Sequence, residues 1–304
     1  MQYDCERRQK GLLMRVLVYG SLNIDYVYEV DHILKPGETE SSYNMQTVAG
    51  GKGLNQAIAL AKAGVETYLA GQIGEEGDIL EAICKDSGMN VKYLDRISGR
   101  SGHTFIQVDK NGQNSILLFG GANREQKREK IDAVIREFSA GDIILLQNEI
   151  NELPYIIECA FRQRMYIVLN PSPFNDEIMD CDLHKVSLFI LNEVEGFQLT
   201  GNKDPDKILT YTHEKFPTAE IILTLGEEGS WYLNGEEKVY QKCVPVSAID
   251  TTAAGDTYTG YFIASRLEGM NITDSMRRAA CASAIACTRK GAAPSIPSQN
   301  EVLY

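Results

Sequence analysis

Asp256 closes a run of small residues, Asp250-Thr251-Thr252-Ala253-Ala254-Gly255-Asp256, near the C-terminal end of the chain. An apolar, helix-spaced pattern follows it, and the Val244–Ala248 stretch before it reads as a strand. The run is therefore expected to be a loop that opens a helix. The first amides of a helix have no intrahelical acceptor and point forward. Ala253, Ala254 and Gly255 carry almost no side chain, so an anion can approach those amides closely. A carboxylate beside such a nest can take a proton from an attacking hydroxyl. A nest with a base is what phosphoryl transfer to an alcohol requires. An ordinary helix start with an acidic first turn has the same appearance, and this run alone leaves both readings open.

Other candidates lie far away in sequence. Asn23 and Asp25 follow the apolar run Arg15–Gly20 and, two residues apart on extended chain, face one side; they suit a polyol or a simple turn. Gly50-Gly51-Lys52-Gly53-Leu54-Asn55-Gln56 opens an Ala-rich helix ending at Gly64. It lacks the Ser or Thr of a Walker loop, and Gln56 stands where a dinucleotide fingerprint needs glycine. Asn192 and Glu195 suit either a hydrated Mg²⁺ or a helix N-cap. Gly226 and Gly229, after Thr224, suit a loop lying close to a flat or phosphorylated ligand, or an ordinary turn. The last helix, about 273–289, is expected to be capped by Gly291. Its end, with an Asp and a hydroxyl opposite, suits a large monovalent cation or a plain cap.

The elements that must position these residues alternate from Glu66 onward. Strands are expected at Thr67–Ala70, Ile143–Gln147, Tyr166–Asn170, Ser187–Leu191 and Glu220–Leu225, with helices such as Gly77–Ser87 and Lys127–Phe138 between them. That order means an α/β fold with a mostly parallel sheet and helices on both faces. Ligands in such sheets bind beyond the C-terminal strand ends, where one rim would gather Asn23, Asp25, Glu149, Asn192, Glu195, Gly226 and the loop before Asp256. Two insertions, about 22–48 and 101–120, read as a small accessory sheet, the second with a hairpin at Asn111-Gly112.

Totals narrow the function classes. At 304 residues, 43% hydrophobic and 24% charged, the chain fits one large soluble domain. A net charge of −12 argues against a nucleic-acid surface. Seven cysteines without a CxxC pair read as reduced thiols in a cytoplasmic protein, with no zinc site expected. No apolar run reaches the roughly 18 residues of a membrane span. Residues 1–14 lack the pattern of a signal peptide and are expected to be a frayed extension. The missing dinucleotide fingerprint disfavours an oxidoreductase, and the missing GxSxG an α/β-hydrolase.

The motifs as an ordered set resemble the PfkB (ribokinase-like) sugar kinases from about residue 15 to 297. The set is LNID at 22–25, PGE at 36–38, GGKGLNQAIALAKAG at 50–64, QNE at 147–149, NEVE at 192–195, TLGEEG at 224–229, DTTAAGDTYTGYF at 250–262 and TRKGAAPSIP at 288–297. The resemblance implies a Rossmann-like three-layer α/β/α domain over 15–304 with a small β-sheet lid. It also implies ATP-dependent phosphorylation of a free sugar. D-ribose at its 5-hydroxyl is the first expectation, followed by deoxyribose, a ketohexose or a nucleoside. A non-catalytic sensor would be expected to lose Asp256 or the nest. By the same resemblance Asp256 is the base, and the amides of Ala253, Ala254 and Gly255 form the anion hole. Asn23, Asp25, Gly51, Lys52, Gly53, Asn55 and Glu149 hold the sugar. Asn192, Thr224, Gly226, Gly229 and Gly255 line the ATP site, with Glu195 ordering Mg²⁺ through water. Asp250, Thr252, Ala286, Arg289, Gly291 and Ser295 surround a monovalent cation, expected to be K⁺. A homodimer through the lid sheets is also implied. Ile24, Leu54, Tyr258 and Thr259 depart from the residues usual in ribokinase-like enzymes, and packing is their expected role.

Overall fold

Val16-Leu17-Val18-Tyr19 forms the first strand, β1 (Val16–Tyr19). Alternation sends Val16 and Val18 into one apolar cluster and Leu17 and Tyr19 into another, so β1 is buried on both faces. The computed structural model describes residues 14–304, and most of the frayed segment expected at 1–14 lies outside that range. The remaining strands in chain order are β2 (Asn23–Glu29), β3 (Asn44–Gly50), β4 (Thr67–Ile73), β5 (Asn90–Arg96), β6 (Gly102–Val108), β7 (Asn114–Phe119), β8 (Ile143–Gln147), β9 (Tyr166–Asn170), β10 (Leu188–Asn192), β11 (Glu220–Thr224), β12 (Ser230–Asn234) and β13 (Glu237–Gln241).

The main sheet has the order β13-β12-β11-β10-β9-β8-β1-β4-β5. Its pairs are parallel from β11 through β5, and β12 and β13 add an antiparallel edge. The strand order reverses direction at β1 and β8, which opens a crevice beyond their C-terminal ends. Helices α1 (Lys52–Lys62), α2 (Asp78–Asp86), α7 (Ala254–Leu267) and α8 (Ile272–Cys287) cover one face. Helices α3 (Arg128–Arg136), α4 (Leu153–Arg162), α5 (Glu193–Thr200) and α6 (Pro205–Lys215) cover the other. A second, mixed sheet of order β3-β2-β6-β7 stands apart, its β6–β7 hairpin closing at Asp109–Gln113 with Gly112 at φ 78°. No helix among the described residues is long and apolar enough to cross a membrane.

Two expectations are corrected. Val244–Ala248 is an exposed connector rather than a strand. Pro245 has no amide for a ladder, and the antiparallel edge has already ended at Gln241. Gly291 does not cap the last helix, which stops at Cys287 with Thr288 as its cap. Gly291, at φ 85°, turns the chain back so that its amide reaches Asp250 Oδ2 at 2.8 Å.

The helices α1 and α7 meet at Gly260. A Cβ there would lie 2.4 Å from Ala59 Cβ and 2.8 Å from the Leu60 nitrogen. Alanine normally favours a helix interior over glycine by about 1 kcal/mol, so the sign of Gly260→Ala tests this contact. The substitution is expected to destabilise by about 1–3 kcal/mol, the cost of overpacking, read as a lower midpoint in urea unfolding. A neutral or stabilised variant would show that the two helices do not touch there.

Candidate active site

Asp256 sits in the first turn of α7 and is buried. Its Oδ1 accepts from Gln56 Nε2 at 2.9 Å and its Oδ2 from Asn55 Nδ2 at 3.2 Å, while Lys52 Nζ stands 3.9 Å from Oδ1. All three donors come from α1, whose first turn faces that of α7. Burial alone would pull the Lys52 ammonium down. The carboxylates of Asp256, Glu149 and Glu195 outweigh it, and the pKa of Lys52 is raised.

The turn ahead of α7 is shaped by Ala253, a non-glycine residue in the left-handed region at φ 61°. The Ala254 amide donates to Thr251 O at 3.2 Å, whereas the amides of Ala253 and Gly255 have no protein acceptor among the described residues. Gly255 is not at positive φ, and a Cβ added to it would meet nothing within 4 Å. The fold therefore does not require glycine here, and the unused amide donors of Ala253 and Gly255 are of the kind that bind an anion at a helix start.

Around this centre the crevice gathers the other candidates. Ser21 Oγ donates to Glu149 Oε2, and the Lys52 amide donates to the same oxygen at 3.1 Å. The Gly53 amide donates to Ser21 Oγ at 3.2 Å, which holds Glu149 against the glycine loop. Gly51, at φ 98°, turns β3 into α1. Asp25 Oδ1 accepts from Thr104 Oγ1 at 2.6 Å, and Asn23 Oδ1 accepts from Asn123 Nδ2 at 2.7 Å. Burial pushes the Asp25 carboxyl from its ordinary 3.8 to about 6; Thr104 opposes that rise and Glu149 adds to it. Burial likewise raises Glu149. Ile24, between the two sugar-site candidates, joins the core, as does Leu54. Tyr258 is buried with its hydroxyl 2.8 Å from Ser230 Oγ, and Thr259 is buried. All four departures thus pack inside the protein.

Asn192 and Thr224 end adjacent strands in register. Asn192 and Glu195 form a reciprocal capping box, with Glu195 N to Asn192 Oδ1 at 2.8 Å and Asn192 N to Glu195 Oε2 at 3.1 Å. Glu195 is buried, and among the described residues its Oε1 takes only Asn192 Nδ2, at 3.1 Å, which leaves acceptor capacity suited to a metal-bound water. The Leu225 amide bonds Gly229 O, so Gly226 and Gly229 form a tight turn beside this strand edge.

Asp250 ties the last group together. Its Oδ1 accepts from the Thr252 amide and hydroxyl, and its Oδ2 from Gly291 N. The amides of Ile249 and Asp250 bond Cys287 O, so the loop is anchored to the end of α8, beside Ala286. Arg289 turns its guanidinium to Glu301, and Ser295 Oγ donates to Ala292 O. Backbone oxygens and Asp250 are thus what this corner offers a cation.

Sequence reading passed over Ser21, Gln56, Thr104, Asn123, Gln147 and Asn170, all of which the fold brings into or directly behind the site. The signal for Gln56 was a long polar side chain on an Ala-rich helix expected to be buried. For Asn170 it was an amide ending an apolar strand. An apolar cavity at the opposite ends of the strands, lined by Met14, Tyr166, Phe262 and Arg266 among others, contains none of the candidates.

The model of the pfkB family of carbohydrate kinases matches residues 14–299, and the chain belongs to that family. It is 32% identical to a ribokinase of Haemophilus influenzae over 94% of this chain and 96% of that one. Its fold is similar to that of a ribokinase from Thermotoga maritima, with a TM-score of 0.84, 36% identity and coverage of 95% and 98%. It is equally similar to an Arabidopsis thaliana ribokinase complexed with ribose and ATP, with a TM-score of 0.84, 30% identity and coverage of 96% and 98%.

The raised Asp25 gives a pH test. A carboxyl raised in the folded state contributes stability that is fully present below 3.8 and is lost as pH climbs through about 6. Asp25→Asn removes that loss. The variant is expected to be more stable than the parent near pH 7.5, by about 2 kcal/mol after allowing for partial solvation, and the gap should close below about pH 4. Thermal melts across pH read the difference. A gap that does not change with pH would mean Asp25 is not raised.

Proposed function

We propose that this carbohydrate kinase transfers the γ-phosphoryl group of ATP to the 5-hydroxyl of free D-ribose. The observation that carries the reading is the facing of two helix starts. One, the start of α7, presents unpaired amides, open space at Gly255 and the Asp256 carboxylate, and the other, the start of α1, brings Lys52, Asn55 and Gln56 to that carboxylate. Similarity to ribokinases over nearly the whole chain supports ribose as the acceptor. The ribose and ATP in the Arabidopsis relative support both substrates.

In this reading Asp25, Asn23, Asn55 and Glu149 hold the sugar hydroxyls, with the backbone of Gly51, Lys52 and Gly53 beneath them. Asp256 accepts the proton of the 5-hydroxyl. The sugar oxygen forms its bond to the γ-phosphorus as the bridging bond to the β-phosphate breaks, and ADP leaves. The amides of Ala253, Ala254 and Gly255 carry the charge on the transferring group. The nucleotide lies along Asn192, Thr224, Gly226 and Gly229. Mg²⁺, held through water by Glu195, would supply neutralisation of phosphate charge. A monovalent cation such as K⁺ would be held by Asp250 and the backbone oxygens of Thr252, Ala286, Arg289, Gly291 and Ser295, and would stiffen the loop before Ala253. The dependence on ATP fits a cytoplasmic enzyme.

The small sheet acts as a lid and as a dimer surface. Its edge strand β7 exposes Ile116, Leu117, Leu118 and Phe119, an apolar edge of the kind that a monomer usually avoids. A second copy of the chain covering this edge explains why it is apolar.

ADP release with MgATP and a panel of ribose, deoxyribose, fructose, tagatose and adenosine, with and without K⁺, tests the assignment. Ribose is expected to turn over fastest. Asp256→Asn should lower kcat by about 10³-fold or more with ADP affinity retained. Gly255→Ala should fold normally yet lose most activity, since its methyl group would enter the space for the phosphoryl group. Turnover of another acceptor alone would move the substrate and keep the chemistry; turnover of none would overturn the kinase reading. Separately, Leu117→Glu is expected to convert a dimer to a monomer in light scattering. A parent chain that is already monomeric would refute the dimer.

A further inference from the structure

Behind the reacting groups runs a buried chain of amides that sugar and nucleotide contacts do not explain. Gln147 Nε2 donates to Gln56 Oε1 at 2.6 Å. Gln56 Nε2 then donates to Asp256 Oδ1 at 2.9 Å and to Asn170 Oδ1 at 3.1 Å. Asn170 Nδ2 donates to Glu195 Oε2 at 3.2 Å and to Ile190 O at 2.9 Å. Gln56 and Gln147 are fully buried, and Asn170 and Glu195 nearly so. The polarity of the chain is uniform. Both amino hydrogens of Gln56 and both of Asn170 are committed, and each amide directs one of them at a carboxylate. A glutamine fully buried at position 56 is costly unless every one of its hydrogen bonds is made. Here all are made, and one goes to the carboxylate proposed as the base.

We propose that Gln56 is a positioning residue that fixes the carboxylate of Asp256 and couples it, through Asn170, to Glu195. The inference rests on the proposed role of Asp256 as base. Oδ1 is held by Gln56, so Oδ2, held more loosely by Asn55 at 3.2 Å, is the oxygen presented to the acceptor hydroxyl. The same amide holds Asn170, which in turn donates to the carboxylate of Glu195, so the two halves of the site share one hydrogen-bonded connection although Gln56, Asn170 and Asp256 come from α1, β9 and α7. Other charged groups act on this region, namely Lys52 from α1 and Glu149 after β8. Lys52 acts on both Asp256 and Glu195 through charge, and no hydrogen bond joins Lys52 or Glu149 to Glu195 among the described residues.

The test is steady-state and single-turnover kinetics of Gln56→Met, which keeps the length of the side chain and removes its donors. The parent is assayed first; if it phosphorylates no sugar, the proposed function and this inference fall together. With an active parent, kcat of the variant is expected to drop about 10- to 100-fold, the usual cost of losing a group that orients a reacting one. KM for sugar and for ATP should stay within about threefold, since binding groups are untouched. The same substitution made in the Asp256→Asn background should cost little further, because both changes act through one carboxylate. An equal loss in both backgrounds would mean a structural role and overturn the proposal, as would a kcat for Gln56→Met equal to that of the parent. If Gln56→Met fails to fold, Gln56→Asn, which withdraws the donor by one methylene and keeps the amide, is read in the same cycle with the same outcomes.

Discussion

The close contact of α1 and α7 is the constraint on which the site depends. Gly260 lets α7 rest directly on Ala59 and Leu60. With the helices that close, their first turns converge on one point, one carrying Lys52, Asn55 and Gln56 and the other Asp256. Each helix start contributes partial positive charge from its free amides. That field, with the Lys52 ammonium, makes it possible to keep the Asp256 side chain buried at the start of α7. A wider separation would leave the same residues in the chain and no site.

The charge balance of the crevice also bears on what it accepts. Glu149, Asp256 and Glu195 act on a single lysine, Lys52, and Asp25 interacts with Glu149; burial raises Asp25 and Glu149. Such a surround offers acceptors in excess, which suits the many donors of a neutral polyol. It opposes a second phosphate on the acceptor, since no arginine or further lysine stands among the groups proposed to hold the sugar. In the proposed arrangement ATP would escape the same penalty, because its phosphates would meet the backbone amides at the start of α7.

Much of this was legible in the order of residues. The parallel strands are apolar runs ending in a polar residue, as in Ile143–Gln147, Tyr166–Asn170 and Glu220–Thr224, and their periodicity and spacing place them without ambiguity. The glycine loop and the run before Asp256 stand out because small residues cluster there ahead of helices. Val244–Ala248 misled because alternation with valine resembles a strand while Pro245 and the lack of a neighbour prevent one. Gly291 misled because glycine after a helix usually caps it, whereas here it serves Asp250 from three residues beyond the cap. Gln56, Gln147 and Asn170 could not be read at all as a network. Their contacts cross about 90 to 200 positions, and nothing local says which way an amide in a buried helix will point.

Strand β2 belongs to the small sheet, yet it carries Asn23 and Asp25, and its neighbour β3 runs straight into Gly51 and α1. The proposed cover therefore carries part of the proposed sugar grip. A swing of that sheet would carry Asn23 and Asp25 with it, while Asn55 and Glu149 stay with α1 and the end of β8. If the small sheet serves as the proposed cover, the residence time of the sugar would follow the motion of that sheet in part, through Asn23 and Asp25.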